Sequence, residues 1–246
     1  KMTLTTENVS IIVGNDTMPA YAARPEGSES LPSVIVWMEI FGVNSHIKDV
    51  TERVAAEGYV ACAPNFFHRA APALDLGYDE AGMNEGIEHM MKLTADNMIA
   101  DQQATIAYLN SRADTVNDKV GVMGFCIGGH MTYLTACENN VCAVASFYGG
   151  GIAAPEGPGG AVSTLSRTAN INCPTLCLFG ALDAHIPPEH TSAVEAALKE
   201  HGRDGEVVIY DDADHGFFCN QRESYHEASA ADAWTRVTGL FANNLR

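Results

Sequence analysis

Six short apolar runs constrain the fold more than any other feature of this chain. Residues 34–38, 59–63, 120–123, 141–147, 175–179 and 207–210 carry almost no polar side chain. A strand covered on one face alternates apolar and polar residues, whereas an unbroken run is buried on both faces. Between the runs lie stretches with helical spacing: 47–57, which stops at Gly58, then about 78–112 with a break near Thr94-Ala95-Asp96, then 127–137, 188–201 and 225–242. Strands interleaved with helices predict an α/β fold, with a mostly parallel central sheet, right-handed crossovers and helices on both faces. The first 25 residues read as a polar N-terminal β-hairpin, strands 9–13 and 18–23 joined at Gly14-Asn15-Asp16, where Asn and Asp supply turn chemistry. At 246 residues the chain fits a single domain, 1–246, with a substantial core. One stretch breaks the rhythm. Residues 149–170 are rich in Gly, Ala, Pro and Ser and follow a strand's C-terminal end, where open α/β sheets bind ligands, so a rim or lid is expected there.

Charge narrows the partners. The chain has 14 Lys+Arg against 31 Asp+Glu, a formal charge of −17 without a basic cluster, so nucleic acid is not an expected partner. No apolar run reaches the length of a membrane span, and the start Lys1-Met2-Thr3-Leu4-Thr5 lacks the pattern of a signal peptide. The seven cysteines form no C-x-x-C pair and no Cys/His ligand spacing, so neither metal nor cofactor is expected. Cys62, Cys137, Cys142, Cys173 and Cys177 read as small buried hydrophobes, which suits a reducing, cytoplasmic compartment. A monomer or small homo-oligomer is the default.

The sharpest chemical signal is Gly124-Phe125-Cys126-Ile127-Gly128-Gly129, set between the strand 120–123 and the helix 127–137. This is the G-x-nucleophile-x-G elbow of the α/β-hydrolase fold, with cysteine where serine is usual. The turn is so tight that only glycine fits two positions before and two after the nucleophile. It also puts the thiol at a helix N-terminus, where free N–H groups favour a thiolate and a developing oxyanion. Such a nucleophile needs a base and an orienting acid, in the chain order nucleophile, acid, histidine. Asp183 ends the run Leu178-Phe179-Gly180-Ala181-Leu182, and His215 lies in Asp211-Asp212-Ala213-Asp214-His215-Gly216 after the last strand. Of the other histidines, His89, His190, His201 and His226 fall in helical stretches and read as surface groups. His185 fits the acid's loop, and His68 and His130 either line the pocket or satisfy local hydrogen bonds.

These segments, with Glu39-Ile40-Phe41-Gly42-Val43-Asn44, Gly180-Ala181-Leu182-Asp183-Ala184-His185-Ile186-Pro187 and Asp214-His215-Gly216-Phe217, resemble the dienelactone hydrolase family over nearly the whole chain. The resemblance implies a Cys126–His215–Asp183 triad that opens lactones and activated esters through an acyl-thioester. It implies an oxyanion hole from the backbone N–H groups of Ile40 and Ile127, and a glutamate, Glu39, that contacts the resting thiol and swings away on substrate binding. The chain departs from the family in its two carboxylate-binding arginines. One belongs where Ala81-Gly82-Met83-Asn84 stand, and the other four residues past His215, where Cys219 stands; Arg222 and Arg69 are the available substitutes. With the negative charge, this points to a small, largely neutral ester or lactone, in a pocket walled by Phe41, Ile87, Met90 and Tyr148. Other readings are hydrolysis of another activated acyl or phosphoryl ester by the same thiolate, and a non-catalytic small-molecule-binding hydrolase fold. A redox-sensing thiol would need a resolving cysteine, and none adjoins Cys126 in sequence.

Overall fold

The apolar runs pair into one eight-stranded sheet in a computed structural model that describes residues 2–246. The strands are β1 (Leu4–Val13), β2 (Asp16–Pro25), β3 (Leu31–Trp37), β4 (Val60–Pro64), β5 (Thr115–Phe125), β6 (Ala143–Phe147), β7 (Thr175–Gly180) and β8 (Gly205–Tyr210). Their order across the sheet is β1-β2-β4-β3-β5-β6-β7-β8. From β4 to β8 every neighbour is parallel, and the β1–β2 and β2–β4 pairs are antiparallel. The helices α1 (Ser45–Ala56), α2 (Glu80–Met90), α3 (Ala95–Ser111), α4 (Ile127–Glu138), α5 (Pro188–Glu200) and α6 (Glu227–Leu245) fill the crossovers and the C-terminus. Among the described residues no helix is long and apolar enough to cross a membrane.

Local chemistry explains the boundaries. The hairpin closes on Gly14-Asn15, with Val13 opposite Asp16; Gly14 takes φ 58, the positive value that a two-residue turn with glycine first demands. The expected break near residue 94 is Thr94 itself, whose hydroxyl accepts from Asn97 N and caps α3. Helix α6 starts at Glu227, two residues later than its spacing suggests. His226 is its N-cap and accepts from Ser229 N, so this histidine has a structural partner and is not simply solvated. Strand β5 begins five residues before its apolar run, with Asn117, Asp118 and Lys119 among the extra positions; pairing with neighbours extends a strand that hydrophobicity alone would cut short. Helix α4 has no solvent-facing side, and its residues Ile127–Cys137 are all buried, as a central helix should be.

Two buried polar residues pin the irregular segment 149–170 to α4. His130 donates from Nδ1 to Gly150 O at 2.8 Å and pairs through Nε2 with Thr164 Oγ1 at 2.7 Å. Tyr133 Oη lies 2.6 Å from Thr168 Oγ1. The segment carries two short 3-10 turns, Pro158–Gly160 and Thr164–Asn170. His130 therefore fastens this segment. Likewise His68 donates to Asp101 at 3.0 Å, and Arg69 grips the same carboxylate with two bonds of 3.0–3.1 Å, so both serve a local buried network.

Candidate active site

Strand order reverses between β3 and β5, since the chain leaves β3 for β4 on one side and returns to β5 on the other. A crevice opens at the carboxyl ends of the strands at such a point. Glu39 and Ile40 leave β3 there, Cys126 leaves β5, Tyr148 leaves β6, Asp183 follows β7 and His215 follows β8.

The elbow is as tight as its glycines require. A Cβ at Gly124 would fall 2.2 Å from Gly128 O, and one at Gly128 would fall 2.3 Å from Met38 O. Cys126 adopts φ 60, ψ −121, a conformation that costs a non-glycine residue about 1–3 kcal/mol and is held by its surroundings. Its N–H donates to Phe147 O at 3.0 Å, which ties the bend to β6. The thiol is partly exposed. Ile127 opens α4, so its N–H has no intrahelical acceptor.

A second close approach brings acid and histidine together. Gly180 packs so tightly on the loop after β8 that an added Cβ would sit 2.3 Å from Ala213 O, and Leu182 N donates to the same oxygen at 3.0 Å. His215 Nδ1 then donates to Asp183 Oδ2 at 2.6 Å. The other Asp183 oxygen accepts from His185 N at 2.9 Å, so His185 belongs to the acid's loop. Burial by itself pushes the His215 imidazole down. Charge on Cys126, hydrogen bonds to Asp183 and Cys126, and the Asp183 charge together outweigh burial and raise it to about 10.

Glu39 is completely buried, and in place of the expected contact with the thiol its two oxygens are taken up by Tyr78 and Arg222. Tyr78 Oη donates to Oε1 at 3.1 Å, and Arg222 Nη1 donates to Oε2 at 2.9 Å. Asn44 Nδ2 and the Cys219 thiol both donate to the Tyr78 oxygen, at 3.0 and 3.4 Å. Burial, then the Glu39 charge, keeps Tyr78 a neutral phenol far above its usual range. The Arg222 guanidinium lies over the rings of Phe41 and Tyr78, 5.4 Å from each centroid. Tyr148, fully buried at φ 37, sits 5.1 Å from the His215 ring, and its hydroxyl has no partner among the described residues. Phe41 and Tyr148 are thus at the site. Met90, half-buried against the core, and Ile87, which is exposed, lie on α2, which touches the site's edge where Gly86 meets Ile40.

The sequence reading passed over Tyr78 and His46. His46 is buried between Glu39 and the rings of Phe125 and Phe218, and neither ring nitrogen has a partner among the described residues. Burial holds its imidazole below the usual range. No motif marks either residue; only the fold brings α1 and residue 78 onto Glu39. Two surface clefts, of about 310 and 370 Å³, contain none of Cys126, Asp183 or His215.

A parallel sheet with a strained nucleophile-type elbow on its central strand defines a hydrolase of the α/β-hydrolase class. The chain belongs to the dienelactone hydrolase family, whose model matches residues 18–245. It is 41% identical over 248 residues to a Synechocystis protein named "Putative carboxymethylenebutenolidase", with the whole of both chains aligned. An Escherichia coli O157:H7 protein of the same name is 34% identical, covering 94% of this chain and 84% of its own. Among solved structures, a "Putative Dienelactone Hydrolase" from Klebsiella pneumoniae superposes with a TM-score of 0.87 at 33% identity, covering 98% of this chain and 99% of its own. The fold is also that of a dienelactone hydrolase-like promiscuous phosphotriesterase from metagenomic libraries, TM-score 0.81 at 22% identity, with 99% of each chain covered.

Proposed function

We propose that the protein hydrolyses small carboxylic esters or lactones through an acyl-thioester on Cys126. The observation that carries this reading is the 2.6 Å bond from His215 to the buried Asp183, beside a thiol held on a strained elbow. Asp183 fixes the imidazole's tautomer and leaves Nε2 to face the sulfur. The Cys126 sulfur attacks the acyl carbon while His215 carries the thiol proton. The N–H groups of Ile40 and Ile127 stabilise the oxyanion. His215 then gives its proton to the departing alkoxide, which in a lactone stays attached to the acyl group. Water, deprotonated by His215, attacks the thioester; the carboxylic acid leaves and the thiol is restored.

The preferred substrate is largely neutral, because the cation at the site, Arg222, is already paired with Glu39. Phe41 and Tyr148 supply apolar walls, with Ile87 and Met90 at the α2 side. Arg222 also favours a second reading, a carboxylate-bearing lactone that draws the guanidinium from Glu39 and frees Glu39 to turn towards the thiol. Quenching the enzyme during turnover of p-nitrophenyl acetate tests the chemistry. The peptide holding Cys126 is expected to gain an acetyl group by mass spectrometry, and an acetyl group on a serine instead would end this mechanism.

A further inference from the structure

Three buried groups beside the hydrolytic centre converge on one another, and one of them, His46, has no hydrogen-bond partner among the described residues. Glu39, His46 and Cys219 each offer one ligand atom, and these atoms all lie within 4.8 Å of one another. They come from three separate places: the end of β3, the first turn of α1, and the loop between β8 and α6. His46 is only 1% exposed, yet both its ring nitrogens are without partners among the described residues. A buried imidazole normally spends at least one nitrogen on a hydrogen bond, and the exceptions call for an explanation. The His46 ring also packs against Phe125 and Phe218, and it feels the charges of Asp49, Arg53 and Arg222.

We propose that Glu39, His46 and Cys219 bind one borderline-soft divalent cation, with Zn2+ the best match. The donor set of carboxylate oxygen, imidazole nitrogen and thiolate sulfur is the mixture this cation takes. Tetrahedral Zn2+ with bonds of about 2.0–2.3 Å holds ligand atoms about 3.3–3.6 Å apart, and with all three atoms within 4.8 Å of one another a modest contraction closes the site. On binding, the metal–sulfur bond replaces the Cys219 S–H bond and the thiol proton leaves to solvent. The carboxylate and thiolate then carry two negative charges against the cation's two positive ones, which suits a buried site. The opposing cost is Arg222, whose charge sits 2.9 Å from Glu39 Oε2. Its side chain is 13% exposed and is the member of the cluster that can retreat towards solvent. The site is independent of whether Cys126 is a nucleophile, since Cys126 is not a ligand.

Cobalt(II) is the probe, because thiolate ligation gives it a near-ultraviolet charge-transfer band. Chelator-treated protein titrated with Co2+ is expected to develop that band to saturation at one metal per chain and to lose it when Zn2+ is added. Cys219→Ser and His46→Gln are expected to lose the band, while Cys126→Ser keeps it. Circular dichroism is read in parallel, and two variants on different elements keep the test decisive if one does not fold. Absence of the band in the unmodified protein overturns the proposal. So does a band that survives in a folded Cys219→Ser or His46→Gln variant, or one that disappears with Cys126→Ser.

Discussion

Arg222 reaches Glu39 through space that Gly216 leaves open. Gly216 sits at φ 83, and a Cβ there would fall 2.6 Å from Arg222 Nη1. The glycine after His215 thus serves the ion pair as well as the turn. That pair is buried at the Glu39 end, where the carboxylate has no exposure at all. Removing one partner of such a pair strands the other charge at a cost of about 3–5 kcal/mol. Arg222→Met is expected to lose stability of this order in urea, and Glu39→Gln with Arg222→Met to regain most of it. A double variant as unstable as the sum of its parts would mean that the two side chains do not depend on each other.

Glu39 also bears on the thiol through Arg222. The guanidinium feels charge on both Glu39 and Cys126. Neutralising Glu39 leaves an unbalanced cation near the sulfur, which favours thiolate. Glu39→Gln is therefore expected to react faster with iodoacetamide at Cys126 near neutral pH. Equal labelling rates would dissociate Glu39 from the nucleophile.

His215 sets the pH behaviour. Its pKa is raised in the folded chain, against the effect of burial, by Cys126 and Asp183. A raised basic group stabilises the fold fully below its ordinary value near 6.5 and loses that contribution as pH climbs through about 10. Denaturant midpoints should fall across that interval, and fall less in His215→Gln. Matching profiles for the two proteins would remove His215 as the source.

Much of this was legible in the sequence, for identifiable reasons. The parallel strands showed themselves because both faces are buried, and the elbow because sterics permit only glycine at Gly124 and Gly128. Asp183 and His215 are singled out by their positions after strands, a property of order along the chain, and the fold brings the two side chains 2.6 Å apart. Tyr78 and His46 were not, because they meet Glu39 only through the packing of α1 and the loop before α2. The pairing of Glu39 with Arg222 depends on how the chain folds back after Gly216, which no local pattern encodes. For His130 and His68 the sequence leaves two readings open, pocket lining or local hydrogen bonds, and the three-dimensional structure gives both to hydrogen-bond networks that hold loops.

Substrate charge can be read through the same arginine. A carboxylate-bearing lactone that engages Arg222 gains a charge-assisted bond of about 1.5–3 kcal/mol, roughly 10- to 150-fold in kcat/KM. The proposed preference for neutral substrates predicts that Arg222→Met changes hydrolysis of a neutral lactone far less than that of an anionic one, and that the neutral one is hydrolysed faster by the unmodified enzyme. The reverse order would favour the carboxylate-bearing substrate.

The central claim is that the Cys126 sulfur forms the covalent bond to substrate, and turnover of p-nitrophenyl acetate by Cys126→Ala measures it most directly. Loss of the nucleophile is expected to abolish turnover while the circular dichroism of the native fold persists. A folded Cys126→Ala protein that hydrolyses the ester at the unmodified rate would contradict it.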